Sequence, residues 1–466
     1  MHDDKFTKGM RGEFRGDFTR DTFDPMRNFS RVLMQQGRVQ VDADWNEQVS
    51  ILLHYMRQLG RDLMGPHGAP KGDDGEPGTG FEITADGEKS DFSITSGNYY
   101  IDGICCEIGD EQEFSYRNQP NYPITGTEKL SDGTHLVYLD VWERHLTYVE
   151  DDYMREKALG GADTATRAQI VWQVKLFSPD NDNQKKQLLK LQKVNEYNLF
   201  KEILVEQTKP STGQLKARAK KASEDENKPC LTAPEASYRG AENQLYRVEI
   251  HNPGKEGEEK ATFKWSRENG SVIFPILDIG DDTITLEHLG RDDRFGLQPG
   301  DWVEVLDDNV VLRNEANPLL KVTAIDRETF QVTLEGTLEL NVGQDLTKHP
   351  YLRRWDQKKG VNAENGALLV TEKNEEENWI SLEDGVEIQF EQQEVSVYQT
   401  GDYWLIPART ATGDVEWPGT VDEPDALPPQ GVEHHYAPLA IIKINNSGEV
   451  SKDIIDLRRQ LKQGWE

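Results

Sequence analysis

Residues 238–251 read YRGAENQLYRVEIH and residues 261–270 read ATFKWSRENG. In each, apolar side chains alternate with polar ones: Val248 and Ile250 in the first, Phe263 and Trp265 in the second. A period of two belongs to a strand with one buried face, so both segments are expected to be β. The intervening positions carry Arg247, Glu249 and Lys264, with Arg267 and Glu268 just beyond. Two readings follow. Arginines and aromatics are common anchors of protein interfaces, which makes Arg247, Trp265 and Arg267 candidates for an assembly surface. The same residues also fit an intramolecular ion-pair network beside a β core.

Working outward toward the C-terminus, a further strand is expected at Ser271–Leu277. The stretch LQPGDWVEVLDD then gives a Pro-Gly-Asp turn followed by the alternating Trp302-Val303-Glu304-Val305. LLKVTAIDRETFQVTLEG gives two strands about a turn. A turn, a strand, a loop and a hairpin suggest a small SH3-like barrel over 281–345. Strands at Ile380–Leu382, Val386–Phe390, Tyr403–Pro407 and Leu439–Ile444 mark a C-terminal β domain, 346–466. Its Pro-rich GTVDEPDALPPQG is expected as a surface loop.

Toward the N-terminus, strands are expected around Phe81–Ile83, Phe92–Ile94, Tyr99–Cys106, Leu136–Trp142 and Ile170–Phe177, with a helical excursion at Asp152–Gly160. Together with the opening strands they form a β domain over 81–280. Residues 178–229, rich in Lys, Gln, Asn and Glu, interrupt it as an insertion, loosely helical at first and an exposed loop from Lys209. Residues 65–80, GPHGAPKGDDGEPGTG, place glycine nearly every third residue, but Lys71 breaks the register a collagen-like strand needs. A flexible linker is expected, with a short three-chain junction as the alternative.

Before the linker lies the clearest helix, Ala43 to Met64. Trp45, Val49, Leu52, Leu53, Met56, Leu59 and Leu63 recur at spacings of three and four. Asp44 and Glu47 resemble a capping box, and Gly65-Pro66 ends the helix. Residues 11–41 alternate arginine, phenylalanine and aspartate without a clean period. A short helix from Asp24-Pro25 through Met34, ending at Gly37, and a strand at Val39 and Val41 are expected there.

Of 466 residues, 35% are hydrophobic and 29% charged, which is too polar for one large core. Ten Trp, fifteen Tyr and fifteen Phe are too many for a disordered chain, so several small domains are expected. Lys and Arg number 53 against 84 Asp and Glu, a formal net charge of −31, which repels nucleic acid and anionic membrane. The start, MHDDKFTKGMRGEFRG, has no apolar core of signal-peptide length, and no apolar run is long enough to span a bilayer. The expectation is cytoplasmic synthesis, reduced thiols at Cys105, Cys106 and Cys230, no membrane insertion, and export, if any, by another route.

Known chemistries are poorly matched. Cys105 and Cys106 are adjacent, which is not a zinc spacing, and His434 and His435 would point to opposite faces of a strand. No nucleophile elbow, zinc-protease motif, phosphate loop or dinucleotide fingerprint occurs. No catalytic residue, metal or cofactor is therefore expected.

GDFTRDTFDPMRNFSRVLMQQGRVQVDADWNEQ, NYYIDGICCE, REKALGGADTATRAQIVWQVKLF, YRGAENQLYRVEIH, ATFKWSRENGSV, LEDGVEIQF, TGDYWLIPART and GVEHHYAPLAII resemble, in order, an uncharacterised bacterial family. Its members are encoded in gene clusters of extracellular contractile injection systems and other phage-tail-like particles. The resemblance covers nearly the whole chain except the insertion. It implies a particle component, at the baseplate, as a fibre or shell subunit, or as cargo, and it brings no catalytic residues.

The reading is thus a mainly β, multi-domain chain with an N-terminal arm plus one long amphipathic helix. It is expected to be a non-enzymatic structural subunit of a particle open to release outside the cell, bound to other subunits and forming a homo-oligomer. Arg20, Phe23, Asp24, Arg31, Gln35, Asp42 and Trp45 join Arg247, Trp265 and Arg267 as the expected assembly residues. The alternatives are a receptor- or glycan-binding fibre module using Trp379, Trp404 and Trp417, and a cargo effector.

Overall fold

A computed structural model describes residues 12–71, 78–85, 91–109, 112, 114–124, 130–194, 196–220, 238–254, 260–280, 282–292, 294–336, 342–358, 366–373 and 378–461. The chain is mainly β, in two compact units, each assembled from separated stretches of sequence.

The first unit takes Met1–Gln48, His145–Ala168 and Pro210–Val432. Its centre is a five-stranded antiparallel sheet, in the order Leu368–Leu369, Thr262–Ser266, Gln244–Asn252, Tyr403–Arg409, Asp414–Val415. A three-stranded sheet, Leu215–Ala219, Val386–Phe390 and Ile380–Ser381, packs on one face of it. The even-numbered residues of Gln244–Asn252 (Tyr246, Val248, Ile250) meet Phe263, Trp265, Trp404, Ile388 and Phe390 in that core. The alternation that marks these strands in the sequence thus builds the interior of a sandwich.

The same unit holds a closed antiparallel barrel of six strands. Around the barrel they run Ile273–Ile279, Thr283–Leu286, Gln331–Glu335, Leu319–Asp326, Trp302–Leu306, Tyr351–Trp355, and back to the first. Phe274, Ile284, Val303, Val322, Val332 and Leu352 fill it. The barrel extends beyond the expected 281–345 at both ends, because Ile273–Ile279 and Tyr351–Trp355 pair with each other and close it.

The second unit takes Val49–Arg144, Gln169–Lys209 and Glu433–Glu466. Its main sheet runs Arg167–Phe177, Gly133–Leu146, His435–Ile444, Ile455–Asp456. Val137, Leu139 and Val141 face a core with Phe81, Phe92, Tyr99, Ile104 and Cys106. Leu136 and Tyr138 face the helices Asp182–Val194 and Tyr197–Ile203 through Leu188, Leu191, Leu199 and Phe200. Strands Gly97–Ile101 and Ile104–Ile108 form a hairpin around Asp102-Gly103, both at positive φ. This two-residue turn matches the strand twist. A Cβ on Gly103 would stand 2.3 Å from the Arg57 carbonyl oxygen, so the turn lies directly against the long helix.

Several expectations are corrected. No separate C-terminal domain exists among the described residues: Val386–Phe390 pairs with Leu215–Ala219, Tyr403–Arg409 with Gln244–Asn252, and His435–Ile444 with Gly133–Leu146. The loop expected from Lys209 contains a strand, LKARA, in which the small residues Ala217 and Ala219 alternate into the core. The start of the Gly/Pro linker is structured as well. His67-Gly68 pairs with Ile101 and Tyr100, and Ala69 exchanges backbone hydrogen bonds with Arg459 and Leu461. That pairing within one chain excludes a collagen-like triple helix over 67–69. Residues 72–77 and 221–237, including Cys230, lie outside the described residues.

Candidate assembly site

The odd-numbered residues of Gln244–Asn252 point away from the sandwich core, and three cations and three carboxylates gather there. Arg247, fully buried, donates from Nε to Glu249 at 2.6 Å and from Nη1 to Asn269 at 3.3 Å, with its guanidinium 3.6 Å over the Tyr403 ring. Lys264, opposite Glu249 in the ladder, places Nζ 2.6 Å from Glu304 and 3.5 Å from Glu249. Glu304 comes from the barrel, where it also accepts from the Trp355 indole at 3.0 Å and the Asn317 backbone at 3.2 Å. Arg15 of the arm reaches Glu249 at 3.1 Å and pairs with Glu13.

Burial alone would raise the Glu249 carboxyl, but Arg15, Arg247 and Lys264 outweigh it and hold it far below the usual carboxylate range. Glu304 is lowered in the same way, by Lys264 and His251 against burial. His251 is held down to about 4 by burial and by the Lys264 charge, so its imidazole is neutral at pH 7. A neighbouring group is arranged differently. Glu268, bonded to Arg294 and Arg354 at 3.3 Å, is pushed up to about 8 by burial and by Asp356, against the pull of Arg354 and Arg267.

The arm is fastened to this charged face by its backbone. Tyr403 donates to the Gly12 carbonyl at 2.8 Å, Asn269 to those of Phe14 and Gly16 at 3.1 and 3.0 Å, and Arg409 to that of Thr19 at 3.0 Å. Carbonyls make these contacts, so they need no side-chain period, which explains why the arm shows none. Phe23 is buried, Arg20 pairs with Glu416 at 3.0 Å, and Asp24 caps the single turn Pro25–Arg27.

Beyond that turn the arm is exposed. The expected helix through Met34 and the strand at Val39–Val41 do not form. Met26, Phe29, Leu33, Met34, Val39 and Val41 stand open to solvent, as do Arg31 and Gln35. The helix Asp42–Met64 follows, and the division between the units falls inside it. Asp42 accepts from Thr19, and Glu47 accepts from Thr22 at 2.6 Å, so both acids hold the arm in place of the expected capping box. Trp45, Val49, Leu52, Leu53, Met56, Leu59 and Leu63, the whole apolar stripe, are exposed, Trp45 by 72% and Leu63 by 77%. Ala43 and Ile51 are buried instead, Arg57 pairs with Glu143 at 2.9 Å, and Gly60 lies against Gly103.

Of the ten expected assembly residues, the structure leaves Arg31, Gln35 and Trp45 exposed, buries Phe23, and ties Arg20, Asp24 and Asp42 into the arm. Arg247 lies in the charged network, Trp265 in the sandwich core, and Arg267 is bonded to Glu383 at 2.7 Å. Glu304, Trp355, Arg354, Asn269 and Arg15 belong to that network and were missed, although a glutamate inside WVEVL is a visible signal. Trp404 is 2% exposed and belongs to the sandwich core, which removes it from any glycan-binding surface. Trp379 is stacked beneath Arg218, and the Trp417 indole donates to Asp425. His434 and His435 take separate partners, Asp140 at 2.6 Å and Asp102 at 2.9 Å. Among the described residues no group of three or more His, Cys, Asp or Glu is placed to hold a metal, and no helix is long and apolar enough to cross a membrane.

A family profile matches residues 14–199 and 192–452. The chain belongs to DUF6519, a family of unknown function. The DUF6519 match opens at Phe14, beside Arg15, and takes in the arm, the long helix and all strands of the charged network. Neither a curated protein nor a solved structure matches the chain.

Proposed function

We propose that this DUF6519 chain is a non-enzymatic structural subunit of a phage-tail-like contractile injection particle, docked through its N-terminal arm and long helix. The observation that carries the reading is the row of exposed apolar side chains from Met26 to Leu63. Scattered surface leucines are ordinary, but so many exposed large apolar side chains along one stretch of chain mark a surface that meets another protein. The charged groups that could suggest catalysis support the same reading. Arg247, Glu249, Lys264 and Glu304 are each buried in ion pairs, a use that braces the face on which the arm lies. The resemblance to an uncharacterised family encoded in contractile-particle gene clusters supplies the setting.

Because Gly12 to Phe23 are part of the fold, the test changes only exposed residues. Leu33→Glu and Val39→Glu are introduced together, and particles are purified from cells that make them. The variant is expected to fold normally and to be depleted from particles by tenfold or more, a loss of about 1.4 kcal/mol. Normal incorporation of the folded variant refutes docking through the arm.

A further inference from the structure

The exposed stripe on the long helix has a stricter period than amphipathicity requires. Trp45, Val49, Leu52, Met56, Leu59 and Leu63 are separated by four, three, four, three and four residues, the alternation of a coiled-coil seam. A stripe that packs on its own globule is broader and faces inward; this one is exposed, while the part of the helix from Val49 onward meets the second unit through Arg57 and Gly60. We propose that the occupant of this seam is the same seam of a second copy of the chain, with the two helices antiparallel about a two-fold axis near His54.

Three observations support a second copy. The first is area: at about 200 Å² per fully exposed residue, the exposed fractions of the six seam residues leave roughly 700 Å² open, near the ~800 Å² each partner contributes to a stable interface. The second is charge. In a chain of net charge −31 a self-contact must be free of acids, and every seam position, with Leu53 and Tyr55 beside it, is uncharged. The third is symmetry. Turning one helix over places Trp45 opposite Leu63, Val49 opposite Leu59 and Leu52 opposite Met56, so each large side chain meets another and the contact closes on itself. The antiparallel sense follows from the polar residues. Asp42, Asp44 and Glu47 occupy the first half, and Arg57 and Arg61 with the single acid Asp62 the second, so a parallel pair would crowd the three N-terminal acids together, whereas an antiparallel pair sets them toward the arginines.

The proposal rests on the assembly reading of this helix and is tested apart from it. Sedimentation velocity of the full chain is run across a concentration series, with Leu52→Glu, Leu59→Glu and, as a control on the same helix, Gln58→Ala. The unaltered chain and the control are expected to sediment as dimers. Each glutamate variant is expected to weaken the dimer by about 30-fold or more while keeping its circular dichroism, since both leucines are exposed in the single chain. For orientation, Leu59→Cys should not cross-link to its own copy, because position 59 then lies opposite 49, about 15 Å along the helix. Paired Val49→Cys and Leu59→Cys should cross-link. A chain that stays monomeric to about 100 µM overturns the proposal, that being a weak self-affinity for such an area. If that monomer still enters particles in a Leu52-dependent way, the assembly reading stands with a different subunit on the seam. Efficient self-cross-linking at position 59 overturns the antiparallel arrangement.

Discussion

Replacing Lys264 by Met tests the buried network where it is tightest. Lys264 and Glu304 are 3% and 1% exposed, and Nζ stands 2.6 Å from the carboxylate. Met keeps the length of the aliphatic stem and its contact with the Trp355 ring, so little packing is lost. Glu249 keeps Arg15 and Arg247, but Glu304 is left as a buried anion with only the Trp355 indole and the Asn317 backbone as donors. Removing one partner of a buried pair costs about 3–5 kcal/mol, and the two remaining donors place this case near 3. With a urea slope of about 3 kcal/mol per molar, the unfolding midpoint followed by tryptophan fluorescence should fall by about 1 M. Adding Glu304→Gln removes the orphan charge but leaves an acceptor for only one of the two donors, because the Trp355 indole and the Asn317 backbone bond different oxygens of Glu304, so the double variant should recover part of the loss and lie within about 2 kcal/mol of the parent. A single substitution costing under about 1 kcal/mol, or a double variant worse than the single, refutes the ionic account.

The network also sets a pH dependence with two limbs. Glu249, depressed in the fold, contributes stability above the unfolded carboxyl range that is lost as pH falls below about 4.5. Glu268, raised to about 8, holds a proton in the folded state that the unfolded chain releases, so its contribution falls as pH rises from about 4.5 to 8. Glu268→Gln should flatten that upper slope in denaturation curves taken from pH 5 to 9, and an unchanged slope assigns it to another group. Trp404→Ala should cost about 3–5 kcal/mol as a core deletion, read by thermal unfolding; a fully stable variant would place this side chain at the surface after all. A fragment limited to 281–345 lacks two of the six barrel strands and should show no dispersed amide NMR signals. Self-association should strengthen or stay constant as salt rises, since screening relieves repulsion between chains of charge −31, and an oligomer that dissociates near physiological salt would show that charge pairing holds it.

Local periodicity made much of this fold legible and hid the rest. Val248, Ile250, Phe263 and Trp265 announce strands because each alternates within five residues, and the stripe from Trp45 to Leu63 announces a helix by the same local logic. Partners cannot be read in that way. Nothing in Val386–Phe390 says that it pairs with a strand more than 160 residues earlier, so a continuous C-terminal domain was the natural expectation. LKARA went unnoticed because alanine carries too weak an apolar signal, although its small size suits a tightly covered strand. At the candidate site, arginines at 15 and 247 look alike in sequence, and only the fold shows both on Glu249. The direction in which the long helix turns its stripe was likewise beyond the sequence, since periodicity gives a face and not its neighbour.

Hydroxyl-radical footprinting of the isolated chain and of purified particles tests the central claim most directly, by measuring oxidation of Trp45, Met56 and Leu59 against Tyr153, which is 92% exposed in the short 3-10 helix Asp152–Met154. The account predicts that the three helix residues become protected at least severalfold more than Tyr153 in particles. Equal oxidation of the stripe in the two samples, with the chain present in the particles, would contradict it.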